Sequence, residues 1–160
     1  MLLPLVVFAL ASCKAPAKPA GHKQKATSVP IMERGRILAD AKDDIAVIES
    51  VEADWTKLTP AVAGKALETL KQQIDELKKE DLVKVREYDE IKLKFGGMYE
   101  KGVAGVTAEF LDNSKIVKID NGQPMAIARA EKRKLYLGLS KVDGTWKIIS
   151  IMSGIKGEEQ

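Results

Sequence analysis

Residues 134–152 read KLYLGLSKVDGTWKIISIM, and the period of this stretch decides what kind of fold the chain adopts. Asp143-Gly144 is a preferred two-residue hairpin loop, because both central residues must take positive φ. With that pair as the turn, Val142 faces Thr145, Lys141 faces Trp146, Leu139 faces Ile148 and Leu137 faces Ser150. One face then carries Leu135, Leu137, Leu139, Trp146 and Ile148, and the other Tyr136, Ile149 and Ile151. Both are substantially apolar, so the hairpin is expected centrally in a sheet, with helices on one side and partial cover or a partner on the other. Trp146 beside Lys141 reads either as a cation–π pair, worth about 0.5–1 kcal/mol when exposed, or as a rim tryptophan packed on the core.

Working backwards, the same period of two runs through 103–111, 115–120 and 124–130. These predicted strands are separated by Asp112-Asn113, Asn121-Gly122 and the charged run 131–133, the pattern of an antiparallel meander. Pro124 cannot donate to a ladder, so its strand starts there or exposes that residue on an open edge. Before the meander the period becomes helical. Leu38, Ala41, Ile45, Ile48, Val51, Trp55 and Leu58 form one stripe of a predicted helix over 33–57, with Asp40, Asp43, Glu49 and Glu52 turned to water. Thr59 as N-cap and Pro60 at the first helical position open a second helix over 60–79, with the stripe Ala63, Leu67, Leu70, Ile74 and Leu77. Leu82, Val85 and Tyr88 are spaced as a third, short helix; Ile91, Leu93 and Phe95 alternate as a strand that Gly96-Gly97 stops. The fold class is therefore α+β, with two to three N-terminal helices on a curved antiparallel meander.

The remaining sequence is organised by its first thirteen residues, MLLPLVVFALASC. The apolar run is too short for a membrane span, which needs about 20 residues, and it fits the apolar region of an export signal. Leu10-Ala11-Ser12-Cys13 resembles the lipobox of bacterial lipoproteins, in which the cysteine is lipidated and becomes the mature N-terminus. No Lys or Arg precedes the run, a departure from the positive region that signal peptides normally carry. Residues 1–12 are thus read as a signal peptide and 13–30 as a lipidated terminus and flexible linker. The tract KAPAKPAGHKQKATSVP at 14–30 has almost no large apolar side chain and cannot offset the entropy of ordering. As a coil it has a reach of about 20–25 Å. Residues 31–155 form one domain and 156–160 a disordered tail. Lys14 after the cysteine fits, by analogy with Gram-negative lipoproteins, sorting to the outer membrane facing the periplasm.

Composition narrows the function classes. The 45% hydrophobic and 31% charged content is that of a globular domain. The single cysteine is spoken for by the lipobox, which removes disulfides and thiolate chemistry from the folded part. The net charge of +3 resides in the tail: four lysines precede residue 31 with no acid, which leaves 31–160 at −1. A nucleic-acid binder needs its basic patch on the domain itself, so no nucleic-acid partner is expected. His22, the sole histidine, lies in the linker without neighbours to make it a ligand or base. Gly96-Gly97 lacks the lysine and helix start of a phosphate loop, and neither a metal cluster nor a cofactor site is expected.

The segment ALETLKQQIDELKKEDLVKVREY at 66–88, followed by a meander closing on KVDGTWKI at 141–148, is similar to the NTF2-like superfamily over roughly residues 60–152. That resemblance implies a cone of sheet and helices around a cavity, used by some members for catalysis and by others for binding or dimerisation. Enzymes of that fold place carboxylates, histidines or tyrosines in the cavity. Here Glu109, Asp120 and Arg129 are the charges set within otherwise mixed strand stretches, and Tyr136 is the clear strand tyrosine, with no positioned partner for acid-base work. Trp55, Tyr88, Glu109, Tyr136 and Trp146 are the candidate cavity or interface residues, and no catalytic residue is assigned.

The leading functional expectation is an envelope lipoprotein, anchored through acyl chains on Cys13. Its small non-enzymatic domain would bind a protein partner, a small apolar ligand or a second copy as a homodimer. Alternatives are a cavity-based isomerase or hydrolase, for which Glu109 and Asp120 would have to face inward, and a helical periplasmic spacer, for which both helical stripes would have to remain free.

Overall fold

The computed structural model describes residues 28–125 and 129–154. Helix α1 spans Ile31–Ser50 and α2 spans Gly64–Lys79. They are followed by strands β1 (Leu82–Val85), β2 (Tyr88–Tyr99), β3 (Val103–Asp112), β4 (Lys115–Lys118), β5 (Glu131–Val142) and β6 (Thr145–Ser153). Strands β2-β3-β5-β6 form a four-stranded antiparallel sheet, and β1 pairs with β4. The fold is α+β, with the helices packed on one face of the meander.

The Asp143-Gly144 turn forms as the sequence requires, with φ of 52° and 84° at its two residues. The expected pairs Val142 with Thr145, Lys141 with Trp146 and Leu139 with Ile148 are present. Register then slips. Gly138 pairs with Ser150 and Leu137 with Ile151, so Leu137 does not face Ser150. A bulge at Ile149 adds one residue to β6 and exchanges the faces of everything after it. Ile151 thereby joins the core, and Met152 turns out beside Tyr136.

The hairpin is not central either: β6 is the last strand of the sheet. Its apolar character has another cause. Residues 61–63 run alongside it as a short parallel bridge, Ile148 N–H donating to Ala61 O at 3.0 Å and Ala63 N–H to Ile148 O at 2.9 Å. This connection satisfies an edge that would otherwise be open to pairing. It also corrects the expected start of α2. Residues 61–63 are drawn out along β6, so Thr59 and Pro60 lie in a turn and the helix begins at Gly64, whose φ is +54°. Helix α1 likewise ends at Ser50 instead of near residue 57. Val51 is extended, and its carbonyl accepts from the buried Arg86 guanidinium at 2.7 Å. Asp54 then caps a separate 3₁₀ turn at Trp55–Leu58, accepting from Thr56 N–H at 3.1 Å.

The predicted third helix is strand β1. Leu82 to Val85 pairs with Lys118 to Lys115, and because β2 pairs with β3 in the same sense, β1-β2 and β3-β4 make one long hairpin. It is interrupted near Arg86-Glu87, where Asn113 N–H still donates to Glu87 O at 2.8 Å. β-Branched Val83 and Val85 suit a pleated surface, and tertiary pairing overrides the three-residue spacing read as helical. Strand β2 does not stop at Gly96-Gly97. A bulge there absorbs the extra residue, and pairing continues to Tyr99 with Val103. Strand β4 ends at Lys118, short of residue 120. Of the strand expected at 124–130, Pro124 makes an isolated bridge with Val117, and residues 126–128 lie outside the described residues.

Between the layers the core is continuous: Ile37, Ala41, Ile45 and Ile48 of α1, Ala66, Leu70 and Ile74 of α2, and Ala104, Val106, Ala108, Leu137, Leu139 and Ile148 of the sheet. Full burial of Leu139 and Ile148 contributes roughly 1.5–3 kcal/mol each. Both helical stripes are used in this contact, which leaves no apolar seam for a coiled-coil spacer among the described residues. Gly64 is the residue where the helical layer turns off the sheet edge. A Cβ there meets nothing closer than 3.8 Å, so Gly64→Ala tests backbone conformation without a clash. Placing an L side chain at positive φ is expected to cost about 1–2 kcal/mol, read as a fall in the urea midpoint with unchanged m-value.

Candidate interaction surface

Beyond a row of Asp89, Leu111 and Lys132, the sheet face opposite the helices carries four further cross-strand rows, each fixed by the register. Lys92, Glu109 and Lys134 form the first; Lys94, Thr107, Tyr136 and Met152 the second; Gly97, Gly105, Gly138 and Ser150 the third; Tyr99 and Val103 begin the fourth. Glycine in the third row permits close approach. A Cβ at Gly105 would run into the Tyr99 ring, and one at Gly138 into the Ser150 hydroxyl. Tyr99 therefore lies down across Gly105, and the middle of the face is low. Tyr99, Tyr136 and Met152 are exposed at 49%, 43% and 61%. Glu109 meets Lys134 at 3.3 Å, and the Lys134 ammonium also stands 5.8 Å from the Tyr136 ring centroid.

Only two of the residues singled out from the sequence, Glu109 and Tyr136, share this face. Tyr88 is on the core side, its ring 4.6 Å from that of Phe110, with Glu49 accepting from its backbone N–H at 2.9 Å; burial pushes its hydroxyl pKa up. Trp146 is 5% exposed and so not a rim residue. Its indole N–H donates to Glu33 Oε1 at 3.2 Å, and Lys141 both pairs with that carboxylate at 2.9 Å and stands 5.2 Å over the indole. The Lys141 ammonium, with help from the indole, holds the Glu33 carboxyl below its usual range. Trp146 is thus a pin between α1 and the hairpin. Trp55 lies apart, half-buried under Lys71, whose Nζ is 4.4 Å from its ring. Cys13 lies outside the described residues. Tyr99 and Met152 are not among the residues singled out because the sequence alternation breaks at Gly96-Gly97 and the Ile149 bulge leaves no mark on it.

Among the described residues the candidate carboxylates do not come together. Glu109 and Asp120 both face solvent, so the isomerase or hydrolase reading lacks its inward carboxylates among the described residues. Core side chains from both helices and the sheet pack together between the layers. A shallow groove of about 430 Å³ lies instead between α2 and β1, lined by Gln73, Glu76, Leu77, Glu80 and Lys84. Burial lowers the pKa of Lys84, opposed by the Asp112 charge; Asp112 itself pairs with Arg133 at 3.1 Å. Among the described residues no group of His, Cys, Asp and Glu is arranged to hold a metal.

One buried acid stands out. Asp44 of α1 is 7% exposed, and its Oδ2 has no hydrogen-bond partner. Burial pushes its pKa up to about 7, Asp40 and Asp43 add to the rise, and the Ile148 backbone and Lys147 oppose it. Since the folded-state value lies above the unfolded one, the native state holds the extra proton between about pH 4 and 7. Stability should fall as pH rises through that window and level off above it. Asp44→Asn, which removes the charge and keeps the shape, is expected to raise the melting temperature by about 2–5 °C at pH 8 and to leave it nearly unchanged at pH 4, measured by calorimetry.

No protein-family model matches the chain, and no curated protein matches it. Among solved structures, the crystal structure of the intermembrane space region of the chloroplast protein ARC6 is similar, with a TM-score of 0.54 at 14% identity over 78% of this chain and 96% of that one. At that identity the likeness concerns the arrangement of helices on an antiparallel sheet and nothing finer.

Proposed function

We propose that the chain is an envelope lipoprotein, anchored through acyl chains on Cys13 at the periplasmic face of the outer membrane, and that its folded part is a small binding domain of the NTF2-like type without catalytic activity. The observation that carries the reading is the order aliphatic, small, small, cysteine at Leu10-Ala11-Ser12-Cys13, placed at the end of an apolar run too short to span a bilayer. The hydrophilic tract 14–30 then separates the anchor from α1. An exposed sheet face bearing tyrosines and methionine, with no acid-base pair behind it, supports a role in binding over one in chemistry.

Acyl-chain arithmetic makes the proposal testable. A single chain gives marginal, reversible binding, whereas two or more hold a protein stably, so membrane retention should depend almost wholly on Cys13. Expressed in a Gram-negative host, the wild-type chain should incorporate labelled fatty acid and float with membranes; Cys13→Ser should lose the label and move to the soluble fraction. Undiminished flotation of the variant would refute the anchor.

A further inference from the structure

We infer that the open face of the four-stranded sheet docks flat on an anionic lipid surface, so that the domain lies sheet-down on the membrane that anchors it. The inference rests on the lipid-anchor reading for proximity, and on the described domain for orientation.

Charge supplies the direction. Residues 31–81, which contain both helices, carry twelve acidic and eight basic side chains; residues 82–154, which contain all the strands, carry thirteen basic and nine acidic. The near-neutral total thus divides unevenly, acidic in the helix-bearing part of the chain and basic in the strand-bearing part. On the open face Lys92, Lys94, Lys132 and Lys134 stand exposed against two acids, Glu109, which pairs with Lys134, and Asp89, which accepts from the Asn113 side-chain amide. An anionic surface attracts this face and repels the other, within about a Debye length.

Shape selects a plane as the occupant. The Gly97, Gly105 and Gly138 row and the recumbent Tyr99 ring keep tall side chains off the centre of the face. Met152 adds apolar surface, and Tyr99 and Tyr136 add rings with hydroxyl tips, the side-chain character that favours the headgroup zone. Flanking lysines can lay their stems along that surface and extend their ammonium groups to phosphates. A few lysines bind such a surface weakly from free solution. A tether changes this, because the surface is then held at millimolar effective concentration, and the seventeen residues 14–30 reach about 55–60 Å at full extension, enough to present either face.

The test uses the full lipidated chain on vesicles of phosphatidylcholine alone and of phosphatidylcholine mixed with phosphatidylglycerol, read by hydroxyl-radical footprinting. Met152, Tyr136 and Tyr99 should be labelled at least about threefold less on the anionic vesicles, while Met32 on α1, 88% exposed, is labelled equally on both. Raising salt, or the surface variant Lys92→Gln/Lys94→Gln/Lys134→Gln with an unchanged circular dichroism spectrum, should abolish the difference. Equal labelling on the two vesicle types would overturn the proposal. So would protection that follows protein density and not lipid charge, which would assign the face to a second copy of the chain. Protection only when an acidic protein is added would assign it to that partner instead. Flotation on the neutral vesicles reports the anchor separately, so its loss and the loss of docking are distinct results.

Discussion

The arrangement depends on one pair of hydrogen bonds at the sheet edge, Ile148 N–H to Ala61 O and Ala63 N–H to Ile148 O. Strand β6 would otherwise end the sheet with an unpaired row of backbone groups. By capturing residues 61–63 it fixes where the helical layer turns and forces α2 to begin at a glycine with positive φ. The covered face of the sheet is thereby committed to the helices, and the opposite face is left without cover among the described residues. Ile148 is fully buried at this junction, so the two bonds form away from water, where leaving either group unpaired would cost about 1–3 kcal/mol.

The same junction explains the buried Asp44. Helix α1 must lie close over β6 for Asp40 to approach Trp146 N–H at 3.4 Å and for Glu33 to meet its indole. One turn after Asp40, Asp44 is carried into the layer boundary, where no side chain donates to its outer oxygen. Its raised pKa follows from that placement.

Local chemistry made part of this legible in the sequence. The Asp143-Gly144 turn is readable because positive φ at two successive positions leaves few residue choices, and the Leu135, Leu137, Leu139, Trp146, Ile148 face is readable because strands alternate. The helical stripes of α1 and α2 were likewise visible in three- and four-residue spacing. What escaped was non-local. The Ile149 bulge leaves no compositional mark and reassigns Ile151 and Met152. The bridge at 61–63 exists only because β6 is an edge. Leu82 to Val85 carries a spacing consistent with either period, and pairing with β4 decides it. The open face was therefore only half visible, through Glu109 and Tyr136, while Tyr99 and Met152 required the register.

Native-state amide hydrogen exchange at the β6 edge addresses the central claim most directly, since it reports whether the helical connection is locked to the sheet. The Ile148 and Ala63 amides should exchange only through global unfolding, with protection equal to that of the central β3 and β5 amides. Exchange at these two positions as fast as in the exposed Gly144 turn would contradict the account, because the edge would then be open and the sheet would have no reason to present one face alone.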